Sequence, residues 1–270
     1  MSPRLFLHVL SLEARKSMSY RVDFWLNTIV GFAISVGYVT FLWLSIYAQS
    51  GEEFVEGFTL PGLILYYVLI FLIARIVTGN SQSGIVSGEI YEGRYTKFLL
   101  YPTRYLPFKY AENLGSLVPS LIQAVVFGFV ALTLIHAPGV NNMTAGTLAM
   151  AVVSVAMASV LLFLLFVPLQ GVAFWADNVW SLYVMLRMVC AFLGGQMLPL
   201  SLFPDWAQTV LAWTPFPYLF YVPTQVALGN LGPLEWARGL VMAGVWCAVM
   251  AGVIRAVWMR GERRYTGVGI

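Results

Sequence analysis

Hydrophobic positions run in long blocks along this chain, and charge marks the gaps between them. No Asp, Glu, Lys or Arg occurs from Phe24 to Ser50. A second apolar block lies between Glu56 and Arg75, with Pro61 and Gly62 near its start and Thr78 and Gly79 at its end. From Asn113 to Ala176 there is no charge over 64 residues, too many for one helix crossing ~30 Å of hydrocarbon with ~20 residues. The run His136-Ala137-Pro138-Gly139-Val140-Asn141-Asn142 breaks this block with turn-forming residues. It therefore reads as two spans, 114–136 and 144–168. A fifth span is expected over 182–202 and a sixth over 236–258.

Composition agrees with a membrane protein. Sixty per cent of the 270 residues are hydrophobic and 10% charged, against ~25% charged in a soluble domain. The polar residues needed to cover one soluble surface are missing, which excludes a cytosolic enzyme, a disordered regulator and a secreted disulfide scaffold. Net charge is +3, which gives no support for a nucleic-acid partner. Cys190 and Cys247 sit in apolar runs without metal-ligand spacing and read as small buried hydrophobes.

The positions of Lys and Arg set the expected orientation. Arg4, Arg15, Lys16 and Arg21 precede span one; Arg94, Lys97, Arg104 and Lys109 separate spans two and three; Arg260, Arg263 and Arg264 close the chain. Glu52, Glu53 and Glu56 and the neutral turn after His136 fall on the other side. Six spans with both termini cytoplasmic satisfy this asymmetry. Before them, Arg4, His8, Ser11 and Arg15 form a polar stripe at helical spacing, with Phe6, Val9, Leu10 and Leu12 around it. This predicts an amphipathic interfacial helix over 1–21, lying on the inner leaflet. A signal peptide fits less well, because the apolar stretch is short and no small-x-small cleavage site follows.

Catalytic patterns are scarce. There is no G-x-x-x-x-G-K-[ST] loop and no H-E-x-x-H, and of the two histidines His8 falls in the N-terminal helix and His136 at the outer turn. Gly79-Asn80-Ser81-Gln82 lacks the closing Gly of a nucleophile elbow. Asn142-Met143-Thr144 fits a glycosylation sequon of the kind that occurs by chance. Asp23, Arg75, Asp177, Arg187 and Arg255 lie at span ends, where snorkelling or pairing explains them. No acidic residue marks mid-membrane, which counts against a proton-coupled carrier.

Two segments stand out. Residues 80–110 carry charge on both sides of Gly93, namely Glu89, Glu92, Arg94 and Lys97, among Ile90, Tyr91, Tyr95, Phe98, Leu99, Leu100 and Tyr101. That mixture suits a short helix docked on a partner and on the membrane surface, stopped by Pro102. Residues 203–232 are uncharged from Trp206 on and rich in aromatics, including Phe216 and Tyr218, while Pro204, Pro215, Pro217 and Pro223 forbid a continuous span. They predict a helical hairpin that enters the membrane from outside and returns. In the last span Gly244, Ala248, Gly252 and Ala256 form a ridge of small side chains, expected to pack on a neighbouring helix of the bundle or on a second copy.

These elements, in this order, resemble the permease subunit of ABC-2-type transporters. The stretch Ser87-Gly88-Glu89-Ile90-Tyr91-Glu92-Gly93-Arg94 through Leu99-Leu100-Tyr101-Pro102 is similar to that family's Gly-Glu pair leading to a Leu-Leu-x-Pro end. Pro199-Leu200 through Phe203-Pro204-Asp205-Trp206, then Pro215-Phe216, Pro223 and Gly229, resembles its outer hairpin. The resemblance covers nearly the whole chain as one permease domain, 1–270. It implies an all-α, six-span subunit of a bacterial inner-membrane exporter for drugs, lipids, glycans or other amphiphiles. It also implies ATP and Mg bound only by separate ABC ATPase subunits, a second permease (identical or related), and Glu89, Tyr91, Glu92, Gly93, Arg94 and Lys97 as the ATPase-coupling residues. Pro204, Trp206, Pro215, Phe216, Tyr218 and Pro223 would border the pathway. A membrane-embedded lipid-modifying enzyme using Glu89, Glu92 and Asp177, and a secondary carrier, remain as other readings.

Overall fold

The computed structural model describes residues 1–19, 21–50, 58–79, 84–101, 103–135, 142–176 and 178–266. Glu52, Glu53 and Glu56, Pro102, the turn 136–141 and Asp177 lie outside them, as does the side chain of Asp23. Eleven α-helices occur among the described residues: α1 Pro3–Ser19, α2 Arg21–Ser50, α3 Leu60–Thr78, α4 Ile85–Tyr91, α5 Thr96–Leu100, α6 Tyr105–Leu134, α7 Ala145–Gly171, α8 Trp180–Leu193, α9 Asp205–Leu211, α10 Tyr221–Ala227 and α11 Pro233–Gly261. No strand is found among those residues.

Local chemistry fixes several helix starts. Thr59 caps α3 by accepting from the Gly62 N–H, with Pro61 in the first turn, where no intrahelical donor is lost. Thr144 and Thr147 form a reciprocal box at α7. Glu235 accepts from the Gly232 N–H at the start of α11, placing an acid at the positive end of the helix dipole.

α3 and α7 are the central helices. Their buried residues, with Phe220 and Leu219, form the main core: Leu63, Tyr66, Ile70, Val77, Leu161, Leu162 and Phe166 among them. α6 and α2 pack on α3, and α11 and α10 pack on α7. α1 lies along α6 through Val9 and Ala14. The approach is closest at Gly115, where a Cβ would stand 2.5 Å from the Leu10 carbonyl oxygen.

Five of the expected spans are helices long and apolar enough to cross a bilayer: α2, α3, α6, α7 and α11. The span expected over 182–202 differs. Its helix, α8, stops at Leu193 after 14 residues. Gly195 adopts φ +83°, a left-handed value that ends the helical run, and Pro199 follows. The freed backbone is tied down from three sides. Tyr66 Oη donates to the Gly195 carbonyl at 2.7 Å, Tyr67 Oη to the Met197 carbonyl at 3.1 Å, and the Tyr221 N–H to the Gly194 carbonyl at 3.0 Å.

Candidate functional site

Between α3 and α6, the described residues 84–101 are tethered to three long helices. They form two short helices rather than the one expected, because Gly93 takes φ +71° between α4 and α5. Phe98, Tyr95, Val86 and Ile90 fill a second core with Tyr105 of α6, Phe163 and Val167 of α7, and Ile254 and Trp258 of α11. The rings meet edge to face, Tyr95 on Tyr105 at 4.8 Å and Phe98 on Tyr105 at 4.8 Å.

Polar contacts join the same helices. The Val86 N–H donates to Gln170 Oε1 of α7 at 3.0 Å. Lys109 Nζ of α6 donates to Glu89 Oε1 at 2.7 Å and to Glu112 at 2.6 Å, and Tyr105 Oη donates to Glu89 Oε2 at 2.8 Å. Tyr95 Oη donates to Glu262, just beyond α11, at 2.5 Å. Burial, and then the Glu262 carboxylate, push the Tyr95 hydroxyl well above its ordinary range, so it remains a donor at neutral pH. One short segment is thereby bonded to the ends of α6, α7 and α11.

Glu89 lies on the inner side of this arrangement. It is 7% exposed and spent on Lys109 and Tyr105, so it anchors the segment instead of facing a partner. The residues left outward are Glu92 and Arg94, paired at 2.6 Å, with Lys97, Leu99, Leu100 and Tyr101. Leu100 is 80% exposed. Tyr91 and Gly93 are half-buried at the edge of this face. Sequence reasoning missed Tyr105, Gln170 and Glu262, and took Lys109 only as an orienting charge. The Lys109-x-x-Glu112 spacing was the available signal; the contact to Glu89 has none.

The second predicted segment folds as α9 and α10, linked by a 3-10 turn at Phe216–Tyr218. The return limb is buried, with Pro215, Pro223 and all of 223–228 inside, against α7 and α3. Pro223 lies in the first turn of α10, where its missing N–H leaves no acceptor unpaired. The outgoing limb faces away: Pro204, Trp206 and Trp213 are exposed. Tyr218 Oη closes the turn on the Ala212 carbonyl at 2.5 Å, and Phe216 packs on the main core.

The ridge on α11 does not pack within the chain. Nothing lies within 4 Å of a Cβ placed at Gly244 or Gly252, and Ala248 is exposed, with Ala256 half-buried. The seam against the bundle runs instead through Ala243, Cys247, Met250, Ile254 and Trp258. Side chains interlock with α7 there, and close approach occurs at Gly171, against Val257 and Trp258, and at Gly261, against Phe174.

A family model described as ABC-2 family transporter protein matches residues 33–269, all but the first helix and part of the second. The chain belongs to that family. No curated protein matches it. As an ABC-2 permease with five helices able to cross a bilayer, it is a multi-pass membrane protein of transport and not itself an enzyme. The anchored α4–α5 segment and the α9–α10 limb are this permease's two candidate functional regions. Among the described residues no three His, Cys, Asp or Glu side chains stand close enough to hold a metal ion.

Proposed function

We propose that this permease is the membrane half of an ATP-driven exporter of amphiphilic cargo, with ATP and Mg bound by a separate ABC ATPase that docks on the outer face of α4–α5. The observation that carries this reading is the two-sidedness of that segment. Its inner face is bonded to three long helices, while Glu92, Arg94, Lys97 and Leu100 are left exposed. A push on the outer face is transmitted to α6, α7 and α11 as a rigid displacement, because the joint is made of an ion pair, charged hydrogen bonds and packed rings rather than a flexible linker.

In this reading six segments cross a bacterial inner membrane, α8 with the irregular chain after it making the fifth. Both termini and α4–α5 lie in the cytoplasm, as the distribution of Lys and Arg favours, and α1 rests on the inner leaflet. The α9–α10 limb enters from the outer side, and cargo leaves past Pro204, Trp206, Pro215, Phe216, Tyr218 and Pro223. A second permease, identical or related, completes the pathway, and nucleic acid plays no part.

The deciding experiment reverses the exposed pair. Glu92→Lys with Arg94→Glu keeps the mutual salt bridge and changes only the charge pattern offered to a partner. It is expected to abolish cargo-stimulated ATP hydrolysis by the co-expressed complex while leaving the permease folded in the membrane. Unchanged stimulation removes this face from the coupling path.

A further inference from the structure

A groove of about 910 Å³ opens between α2, α3, α6 and α8, apart from the α4–α5 segment and meeting the α9–α10 limb at Phe220. That volume falls in the range of sites that take small molecules, ~300–1,000 Å³. One part of its wall is apolar and aromatic: Tyr38 and Leu42 of α2, Phe71 of α3 and Met188 of α8. Another part is polar, with Ser116 and Ser120 of α6 and Gln196 after α8. Two arginines also line it, Arg75 and Arg187.

Neither arginine forms an ion pair among the described residues. Arg75 turns inward: its Nη2 donates to Gln123 Oε1 at 3.4 Å, and its Nε is buried with no partner among the described residues. Arg187 is the eighth residue of the 14-residue α8, at its centre and not its tip. Arg75 lies in the last turn of α3 but points inward to Gln123, and Arg187 is away from both ends of α8, so snorkelling describes neither side chain well. Two guanidinium groups on one cavity repel each other. Cations at membrane depth are costly and persist where a counter-charge meets them. The planar guanidinium fork matches phosphate and carboxylate oxygens in particular.

We propose that this groove binds a single amphiphile by its anionic headgroup, a phosphate or carboxylate held between Arg75 and Arg187 with the alkyl tail along Tyr38, Leu42, Phe71 and Met188. This deepens the exporter reading by giving its cargo a charge, and rests on that reading only for the ligand's being cargo. The groove reaches Ser17 of α1 and Thr78 and Gly79 at the end of α3. On the proposed topology that end is cytoplasmic, so the amphiphile enters from the inner leaflet. At its far end lie Gln196, Met197 and Phe220, next to the backbone that Tyr66 and Tyr67 clasp.

The test uses the full chain in neutral detergent, by native mass spectrometry, with three probes. They are myristoyl lysophosphatidic acid, monomyristoylglycerol as the same tail without the charge, and inorganic phosphate as the charge without the tail. One lysophosphatidic acid per chain is expected, bound at least tenfold more tightly than monomyristoylglycerol, with no retention of inorganic phosphate. Arg75→Gln with Arg187→Gln should bring the two lipids to equal affinity, whereas Arg255→Gln, on the exposed side of α11, should change nothing. Arg187 is exposed, so Arg187→Gln alone tests the site in a folded chain if the double variant aggregates, and a loss of threefold or more is expected. Equal binding of the charged and neutral lipids, undiminished binding by Arg187→Gln, or arginine-dependent capture of inorganic phosphate alone each overturns the proposal. The assay contains no ATP and no partner subunit. Its failure leaves the coupling face standing, and failure of the Glu92–Arg94 reversal leaves the groove standing.

Discussion

Lys109 and Glu89 place a charged pair where water is nearly absent, with side chains 5% and 9% exposed. Such a pair is costly to assemble and more costly to break, since the surviving charge is left buried; losing one partner typically costs about 3–5 kcal/mol. Lys109→Met should therefore lower the melting temperature of the purified permease markedly. Glu89→Leu combined with Lys109→Met should lower it less, because the buried carboxylate goes with its cation and only Glu112, 29% exposed, is left unpaired. Equal damage from the single and double variants would show that packing, and not charge, is what Lys109 contributes. The sequence displayed Glu89 and Lys109 as two of several charges between apolar blocks. Their partnership spans 20 positions and a glycine-broken turn, and no local spacing encodes such a contact. Glu92 and Arg94 were easier to read, since two charges flanking a turn glycine have few places to go but outward.

At the scale of elements, the long apolar blocks were legible because charge is so costly in hydrocarbon that its absence alone outlines a span. α2, α3, α7 and α11 fall close to their expected limits for that reason, whereas α6 starts nine residues before its expected start, at Tyr105, and carries Lys109 and Glu112 in its first turns. Facing was far less legible. On α11 the regular fourfold spacing of Gly244, Ala248, Gly252 and Ala256 pointed to a packing seam, yet the bundle is met one or two positions away by Ala243, Cys247, Met250, Ile254 and Trp258. Small residues permit close approach, but α7 offers α11 side chains to interlock with, and van der Waals contact is gained by filling space as well as by closing it. Substitution separates the two faces. Gly252→Leu meets open space in the isolated chain and should leave its melting temperature unchanged. Gly115→Leu drives a side chain into the backbone of α1 and should cost about 1–3 kcal/mol. If Gly252→Leu instead dissociates a dimer on size exclusion, the ridge is where a second permease sits.

For the whole molecule, orientation rests on the bias of Lys and Arg and is open to direct chemical reading. Cysteines introduced at Lys97 and Glu262 should stay unlabelled by an impermeant maleimide in intact cells, and those at Glu53 and Asn141 should react. Labelling of position 97 from outside would invert the topology and move the proposed ATPase face to the wrong side of the membrane. The order of elements along the chain was enough to suggest the family, and the match over 33–269 establishes it. The α4–α5 joint, by contrast, is assembled from residues as far apart as Val86 and Tyr265, and only the folded chain brings them together.

The brevity of α8 has a consequence for how the protein is made. Fourteen residues at 1.5 Å each extend about 21 Å, short of the ~30 Å of hydrocarbon. Arg187 at the centre adds about 2.5 kcal/mol to the cost of inserting that helix alone. α2 carries its own ticket into the bilayer; α8 does not. The backbone after α8 is held by Tyr66 and Tyr67 of α3, already made, and by the N–H of Tyr221, which the ribosome has yet to deliver. Stable insertion of α8 must therefore wait for α10. Reporter fusions truncated after Phe203 should show mixed orientation, and those truncated after Gly232 a single one. A uniform orientation at both points would mean that α8 enters without help from the segment that later clasps it.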